Sequence, residues 1–519
     1  MSGQQQINFE KPFIGSIDQG TSSTRFILFD SKGDTVLSHQ IPLKQYHPNP
    51  GWVEHDGLEI INSVNECISQ VLNKYKETNI GEISDIKAIG ITNQRETTIV
   101  WDKNTGKPYH NAIVWSDTRT SSIVNRFNTK AESLLKKEQQ SQSQQQIVPK
   151  DYLRDICGLP IANYFSAVKL RWLIENVPEI DQSNALAGTI DSWLVWNLTN
   201  KKTHITDVTN ASRTMLMNLA TLEWDSKLCD FFDVPNSLLP KICSSAEIYG
   251  HVESGPLAGV PIASVLGDQQ SAMVGQMCFD KGQAKNTYGT GCFLLYNTGD
   301  DIVHSKHGLL TTVCYKLGKD SPVHYALEGS IAVAGAGVKW LIENLGFANN
   351  SKEIEALANS VQDTGGMYIV PAFSGLFAPH WRDDARGVMV GLTHHTNKAH
   401  IARAMLESTC FQTYEVLKSM EKDSNDKLVE LRVDGGMTMN DLLLQIQADI
   451  LGLPVVRPHN LETTCFGAAY AAGLTVGVWS SAMQFHIGKR FTPNPNIDHM
   501  KRINDWHKAV SKSVDWVDK

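Results

Sequence analysis

The sequence has no CxxC pair and no cysteine–histidine cluster at metal-ligand spacing. Its nine cysteines are scattered along 519 residues, with no regular spacing. An odd, scattered set of this kind is typical of reduced thiols in a cytosolic protein. We therefore expect a cytoplasmic protein without a disulfide framework or a zinc-binding motif.

The sequence also lacks an excess of positive charge and a long apolar segment. A formal net charge of −8 argues against nucleic acid or an anionic membrane surface as the main partner, although a local basic pocket for a phosphate stays open. The N-terminal "MSGQQQINFE" has neither the basic region nor the apolar region of a signal peptide. The uncharged stretch Thr463–Phe485 contains three glycines and several polar residues, which favours a buried helix over membrane insertion.

Strand-like and helix-like segments alternate in what is present. "FIGSID" and "RFILFD" are short apolar runs, and "LEIINSVNECISQVLNKY" has helical spacing. This alternation predicts an α/β architecture. Because the chain is long for one core, we expect two domains, residues 13–276 and 277–519. The Gln/Ser-rich run "KKEQQSQSQQQIVPK", residues 136–150, cannot bury apolar surface and is expected to be an exposed insertion.

The stretch "IGSIDQGTSSTRFILFD", residues 14–30, carries more polar groups than a tight hairpin needs. Backbone N–H groups of its Gly turn and the hydroxyls of Thr21 and Ser22 could cradle phosphate oxygens. Arg25 adds a permanent charge with bidentate geometry, and Asp18 offers the hard oxygen that magnesium prefers. The alternative is a hairpin whose hydroxyls simply face solvent.

Two later stretches resemble this hairpin in form. "AKNTYGTGCFLLYNTGD", residues 284–300, has a Gly-Thr-Gly turn followed by an apolar run, which suggests a second domain with a related plan. "LRVDGGMTMN", residues 431–440, joins a strand-like run to the helix-like "DLLLQIQADIL". A strand–Gly turn–helix can aim backbone N–H groups at an anion, and it can equally be a plain connecting loop.

Two further stretches carry charges where an apolar strand ends. Arg95 and Glu96 are adjacent in "GITNQRETTIVWD", residues 90–102, where they are either a solvated turn or a donor–acceptor pair for vicinal hydroxyls. In "ASVLGDQQSAMVGQ", residues 263–276, Asp268 follows an apolar strand. Asp268 could take a proton as a general base, or it could cap the following helix.

Together these motifs resemble the FGGY family of carbohydrate kinases, from about Phe13 to about Trp479. The matching pieces include "DQGTSSTR", "GWVEHD", "NQRETT", "NAIVW", "TDVTNASRTML", "GDQQ", "NTYGTGCF" and "RVDGG". The resemblance implies two actin-like, RNase-H-like ATPase lobes around a central cleft. It also implies an ATP-dependent kinase, and "NQRETT" with "GDQQ" favours glycerol over another polyol or sugar as its substrate. An actin- or Hsp70-like ATPase shares the phosphate loops but has no reason to keep the Arg–Glu pair, and the presence of Asp268 argues against an inactive binding protein.

The resemblance also implies roles for individual residues. Those implied to bind glycerol are Arg95, Glu96, Trp115, Tyr164, Asp268, Gln269 and Phe293. Among them, Asp268 is implied to remove the proton of the 3-hydroxyl group. The three aromatic residues follow apolar segments, and without the resemblance they would be assigned to the core.

A second set of residues is implied to bind ATP and magnesium. The nucleotide-binding residues are Thr21, Ser22, Ser23, Arg25, Thr290, Gly335, Gly436 and Asn440. Asp18 is implied to hold Mg²⁺ through water. Such residues act by positioning and charge stabilisation, which is most of what phosphoryl transfer requires. By analogy with the family, we expect a homodimer or homotetramer.

Three positions depart from the family pattern. Some bacterial members have Gln at the position of Lys339, near the nucleotide. Members inhibited by fructose 1,6-bisphosphate carry a Gly/Arg loop where this chain has "ESGPLAGVP", without Arg. We therefore expect no inhibition by this bisphosphate. The Gln/Ser-rich run is the third departure.

The Gln/Ser-rich run provides a first prediction. Because it cannot contribute to a core, deleting this run (residues 136–150) is expected to leave catalytic turnover and the thermal unfolding midpoint within error of the parent chain. Steady-state kinetics and a thermal melt of both proteins measure this. Loss of activity in the deletion would contradict the assignment.

Overall fold

The computed structural model describes residues 9–139, 148–483, 485–497 and 499–517. Most of the Gln/Ser-rich run lies outside these residues. The chain forms two compact units. The first comprises the described residues of Met1–Gly275, Thr311–Tyr325 and Thr463–Gln484, and the second comprises those of Gln276–Leu310, Ala326–Glu462 and Phe485–Lys519. The boundary expected near residue 276 stays a prediction, and two later segments pack with the first unit.

The helices are α1 (Gly57–Glu77), α2 (Ser121–Gln139), α3 (Arg154–Cys157), α4 (Ser166–Asn176), α5 (Ile190–Leu198), α6 (Val208–Ala211), α7 (Ser226–Phe232), α8 (Asp268–Gly275), α9 (Gly335–Glu343), α10 (Ser351–Asn359), α11 (Lys398–Ser424), α12 (Asp441–Leu451), α13 (Thr463–Thr475) and α14 (His499–Val510).

The strands are β1 (Phe13–Gln19), β2 (Ser23–Phe29), β3 (Thr35–Pro42), β4 (Glu54–His55), β5 (Ile86–Asn93), β6 (Thr98–Asp102), β7 (Ala112–Ile113), β8 (Ala185–Thr189), β9 (Ile205–Asp207), β10 (Met217–Asn218), β11 (Glu223–Trp224), β12 (Lys241–Cys243), β13 (Gly250–His251), β14 (Pro261–Gly267), β15 (Ala284–Tyr288), β16 (Cys292–Gly299), β17 (Leu310–Tyr315), β18 (His324–Ile331), β19 (Tyr368–Val370), β20 (Val388–Val390), β21 (Leu431–Asp434), β22 (Val455–Pro458) and β23 (Ile487–Phe491).

The first unit is built on a six-stranded mixed sheet in the order β13-β14-β5-β1-β2-β3. Strands β1, β5 and β14 are parallel, and β2 returns antiparallel beside β1. In the register, Gln19, Asn93 and Gly267 are neighbours, so these three strands end in one row. The motifs "DQGT", "NQRE" and "GDQQ" therefore leave the sheet side by side, at the carboxyl edge where open α/β sheets bind their ligands.

Helices cover both faces of this sheet. Helix α1 buries an apolar stripe against Ile17, Phe26 and Leu28, which share one cluster with it. On the other face, the Phe29 ring lies 5.6 Å from the ring of Phe466 in α13. Since Leu28 and Phe29 are consecutive in a strand, they point to opposite faces, and the two helices lie on opposite sides of the sheet.

The second unit repeats part of this plan. Its sheet includes the strands β18, β16, β15, β21, β22 and β23 in that order. Strands β15 and β16 form an antiparallel hairpin, and β15 is parallel to β21 with Thr287 beside Asp434. The motifs "YGTGC" and "DGG" thus follow the ends of adjacent parallel strands, like the motifs of the first unit. The α/β class predicted from sequence is confirmed. The resemblance between the two hairpin stretches corresponds to a repeated arrangement, in which an antiparallel hairpin lies beside a parallel strand.

Helix α13 accounts for the uncharged stretch that needed explanation. It has 13 residues and is buried in the first unit, as the sequence predicts. Across the described residues, no helix combines the length and the apolar character needed to cross a membrane. The helix lies so close to α8 that a Cβ at Gly467 would overlap the carbonyl of Ser271, and a Cβ at Gly275 would overlap the carbonyl of Thr463.

This close packing generates a stability prediction. Gly467→Ala forces α13 away from α8 and is expected to lower the free energy of unfolding by about 1–3 kcal/mol. Gly436→Ala is the matched control, because a Cβ there meets no atom within 4 Å. Urea unfolding of the two variants measures the difference. Equal stabilities would show that the glycine contact is not required.

Candidate active site

The charged residues at the carboxyl edge of the first sheet are in direct contact. Arg95 Nε lies 3.3 Å from Asp268 Oδ1, and Arg95 Nη1 donates to Gln270 Oε1 at 3.3 Å. The stem of Arg95 crosses Gly267 so closely that a Cβ there would lie 2.7 Å from it. The Gly that precedes Asp268 is therefore what allows Arg95 to reach the carboxylate.

Asp268 is the first residue of α8, and its side chain is 27% exposed. Its Oδ1 accepts a hydrogen bond from the N–H of Gln269 at 2.8 Å. The helix-cap alternative accounts for the position of Asp268 at a helix start, but it does not account for its ion pair with Arg95. The carboxylate is accessible and oriented, which suits a proton acceptor.

Glu96 is buried and has a strained backbone. Its φ is +60°, a left-handed conformation that costs a residue with a side chain about 1–3 kcal/mol and is concentrated at functional sites. Its Oε1 accepts from Arg213 Nε at 2.6 Å, and both side chains are almost fully buried. Arg95 is also buried, so the solvated-turn alternative for the Arg95–Glu96 pair is wrong.

The predicted aromatic residues of the first unit meet beside these charges. The rings of Trp115 and Tyr164 pack edge to face at 5.4 Å. Trp115 Nε1 donates to Thr21 Oγ1 at 2.9 Å, which links the aromatic pair to the predicted phosphate hairpin. The guanidinium of Arg213 lies 5.8 Å from the Tyr164 ring. These contacts bring Thr21, Trp115, Tyr164 and the partner of Glu96 into one region.

The β1–β2 turn is hydrogen-bonded to the buried side-chain amide of Gln94. Gln94 Nε2 donates to the carbonyl of Gly20 at 3.0 Å and to Gln19 Oε1 at 3.1 Å. It also lies 3.2 Å from Nδ1 of His55, a ring whose pKa burial lowers to about 4, so it is neutral at pH 7. The turn is therefore shaped by groups other than its own hydroxyls.

The residues of this turn that are predicted to bind phosphate and magnesium are exposed or half-buried. Ser22 is exposed, while Asp18, Thr21, Ser23 and Arg25 are half-buried. Asp18 and Arg25 face each other across the strand pair, and Cys465 Sγ lies 3.6 Å from Asp18 Oδ2. Each of these five residues is thus at least partly exposed.

The second unit brings Thr290 and Gly335 together. The backbone N–H of Gly335 donates to the carbonyl of Gly289 at 3.0 Å, and the N–H of Ala336 donates to that of Thr290 at 3.0 Å. Thr290 itself is exposed at the turn, and Phe293 is half-buried in β16. The glycine turn therefore packs directly on the first turn of α9.

The remaining predicted nucleotide residues occupy the turn after β21. Gly436 is exposed in a short 3₁₀ turn, and Asn440 Oδ1 caps α12 by accepting from the N–H of Leu443 at 2.8 Å. The strand–Gly turn–helix order is present as predicted. Lys339 is well exposed and forms a surface ion pair with Glu343 at 3.7 Å.

The segment "TDVTNASRTML" contributes to the site, although no residue of it was predicted to do so. Asp207 accepts hydrogen bonds from the side chains of Thr209, Asn210 and Ser245. Burial raises the pKa of its carboxyl group, and hydrogen bonds from these three residues oppose that shift. Thr209 Oγ1 accepts from the N–H of Gly267 at 2.9 Å, directly before Asp268. The closely spaced Asp207, Thr209 and Asn210 could have predicted a turn from the sequence. The hydrogen bond between Thr209 and Gly267 could not have been predicted in this way.

No metal cluster accompanies these residues. Within the described ranges, no group of three or more His, Cys, Asp or Glu side chains is arranged to hold a metal ion. The nine cysteines are free thiols, as their scatter predicts.

The chain matches known proteins over almost its whole length. The N-terminal domain model of the FGGY family of carbohydrate kinases matches residues 13–275, and the C-terminal domain model matches residues 284–476. A protein of Dictyostelium discoideum named "Probable glycerol kinase" is 65% identical, covering 98% of this chain and 99% of its own length. A "Glycerol kinase" of Brucella anthropi is 52% identical, with coverage of 98% and 99%.

Solved structures agree with these matches. The crystal structure of Plasmodium falciparum glycerol kinase with ADP has a TM-score of 0.87 and 40% identity, covering 97% of this chain and 98% of that one. A gluconate kinase from Lactobacillus acidophilus has a TM-score of 0.83 at 23% identity, covering 96% and 98%, which shows the fold alone. The predicted actin-like ATPase class of the two lobes is confirmed by these neighbours.

The buried Arg213–Glu96 pair allows a prediction that needs no substrate. Arg213→Met is expected to lower the free energy of unfolding by about 3–5 kcal/mol, because it removes the cation that faces a buried carboxylate. Adding Glu96→Gln should recover much of that loss. The control is Arg126→Met, which breaks the exposed pair with Glu175 and should cost less than about 1 kcal/mol. Denaturant unfolding measures all variants, and additive losses would argue against the pair.

Proposed function

The chain belongs to the FGGY family of carbohydrate kinases, and we propose that it transfers the γ-phosphoryl group of ATP to glycerol, forming sn-glycerol 3-phosphate. Relatives named glycerol kinase, 52% and 65% identical over almost the whole chain, support this choice within the family. The related structure with ADP supports the use of an adenine nucleotide. The structural observation that carries the proposal is the row of three motifs at the carboxyl ends of β1, β5 and β14.

Glycerol is small and offers only hydroxyl groups. Arg95 supplies donors and Glu96 supplies an acceptor, so the two can bind the two hydroxyls distant from the reacting one. Trp115 packs against the carbon chain, and the Tyr164 hydroxyl adds a hydrogen bond. Phe293, in the second unit, is proposed to contact the carbon chain as well.

Asp268 is proposed to be the general base. The 3-hydroxyl oxygen attacks the γ-phosphorus, the bond to the ADP oxygen breaks, and the proton passes to the Asp268 carboxylate. Arg95, at 3.3 Å, and the N–H of Gln269, at 2.8 Å, hold that carboxylate in one orientation. Orientation of this kind supports proton transfer, because a general base must lie within hydrogen-bond reach of its proton.

The exposed turns are proposed to bind ATP. In the first unit, the hydroxyls of Thr21, Ser22 and Ser23 and the guanidinium of Arg25 are suited to the outer phosphates. In the second unit, Thr290 is assigned to the phosphates. Gly335, Gly436 and Asn440 are assigned to the rest of the nucleotide.

The residues present fit a magnesium ion held through water. Asp18 supplies one half-buried carboxylate, and Mg²⁺ usually keeps several waters while taking one or two protein carboxylates. When bound, the ion neutralises charge on the phosphates during transfer. The chain's own contribution is to hold Asp18 beside the phosphate turn.

We also expect a cytoplasmic homodimer or homotetramer, on the analogy with the family.

The proposed division of roles gives paired kinetic predictions. Asp268→Asn is expected to lower kcat by about 10²–10⁴-fold while ADP still binds, because the proton acceptor is lost and the nucleotide residues are not. Arg95→Ala is expected mainly to raise the KM for glycerol, because Arg95 holds the substrate hydroxyls.

A coupled assay of ADP formation and calorimetric titration with ADP measure these effects. Asp181→Asn, at an exposed position, serves as a control that should behave like the parent chain. Near-normal turnover in Asp268→Asn would reject the assignment of the base.

A further inference from the structure

Lys169 is a fully buried lysine that the catalytic roles above do not use. It lies in the first turn of α4, and its side chain points back to the loop that precedes the helix. Its Nζ donates to the carbonyl oxygens of Asn163 at 2.5 Å, Tyr164 at 2.7 Å and Phe165 at 3.4 Å. An ammonium group has three donors, so these three consecutive carbonyls match its full capacity.

Keeping a charge at this position is costly. Burial lowers the pKa of Lys169 to about 7, and the carboxylates of Glu96 and Asp117 oppose that shift, while Arg119 adds to it. Lysines are rarely buried unless they are paired, and a solvent-facing lysine would serve the helix equally well. The reason for burying this amino group is therefore sought in the backbone loop to which it is hydrogen-bonded.

The loop held by Lys169 carries two contacts of the proposed glycerol site. Tyr164 presents its ring to Trp115 at 5.4 Å. Two residues later, Ser166 Oγ donates to the backbone carbonyl of Glu96 at 3.0 Å. The same short segment thus sets the position of one substrate-binding side chain and supports the strained backbone of another.

The far end of the loop is also fixed. Thr120 Oγ1 donates to Asn163 Oδ1 at 2.8 Å, and Asn163 Nδ2 donates to Ser121 Oγ at 3.0 Å. The loop is therefore tied to α2 at Asn163 and to Glu96 at Ser166, and Lys169 closes it between these two points. Tyr164 lies in the part of the loop that Lys169 closes.

We infer that Lys169 is a positioning residue for polyol binding, which acts by fixing the backbone of residues 163–165 so that Tyr164 is held ready for the substrate. Lys169 does not touch the substrate in this account. The inference rests on the proposed function, since it concerns the same glycerol site. It adds a residue whose effect should appear in substrate affinity and not in the chemical step.

The first test separates KM from kcat. Lys169→Met keeps the length and the apolar stem but removes all three donors. It is expected to raise the KM for glycerol about tenfold, the change that corresponds to about one net hydrogen bond. The kcat value and the KM for ATP should stay within about threefold of the parent chain. Arg171→Met is the matched control on the same helix, and it should leave the KM for glycerol unchanged.

The second test asks whether Lys169 acts through Tyr164. In a double-mutant cycle, Lys169→Met is added to Tyr164→Phe, which lacks the hydroxyl proposed to bond glycerol. If Lys169 acts by placing that hydroxyl, the added substitution should raise the KM for glycerol less than about twofold. A full tenfold rise in the Tyr164→Phe background would overturn the inference, because a general structural role would act independently of Tyr164.

A second substitution at Lys169 and an assay of the parent chain distinguish failure of this inference from failure of the proposed function. If Lys169→Met does not fold, Lys169→Gln retains two N–H donors and should show a smaller rise in the KM for glycerol with kcat preserved. Failure of both variants to fold would make Lys169 a folding residue and would overturn the inference. The parent chain is assayed first, because absence of glycerol-dependent ADP formation there contradicts the proposed function. Normal parent activity with an unchanged KM in the variants contradicts only the role of Lys169.

Discussion

The contact between Arg95 and Asp268 is the interaction on which the rest of the site depends. It requires Gly267, because a side chain there would overlap the stem of Arg95. It also requires that the ends of β5 and β14 lie in register, since Arg95 follows one strand and Asp268 the other. The Thr209 hydroxyl, held by Asp207, accepts from the N–H of Gly267 and fixes the carboxylate end of this arrangement.

Buried charged groups around this contact hold Glu96 and the loop of Tyr164 in place. Arg213 holds the Glu96 carboxylate, and Lys169 holds the loop of Tyr164. Each of these charges is costly to bury unless it is paired or hydrogen-bonded. That cost accords with a site that must be rigid, because binding and transfer are fastest when the groups need no rearrangement.

Much of this could be predicted from sequence, because the relevant signals are local. The Gly and hydroxyl turns, the Arg95–Glu96 dipeptide and the Asp after a buried strand all stand within a few residues of one another. The roles of Arg213 and Lys169 could not be read in the same way. Arg213 pairs with a residue 117 positions earlier, and Lys169 bonds to backbone carbonyls that carry no sequence signature. Asn440, assigned to the nucleotide from sequence, also caps a helix, a second role that only the structure displays.

The central claim is that this arrangement selects glycerol. The measurement that tests it most directly is kcat/KM for glycerol, glyceraldehyde, dihydroxyacetone and a set of pentuloses, assayed with ATP under one condition. Glycerol is expected to have the highest kcat/KM, because Arg95 and Glu96 are proposed to bind two hydroxyls on a short chain. A pentulose with a higher kcat/KM than glycerol would contradict it and would assign the chain to another substrate within the same family.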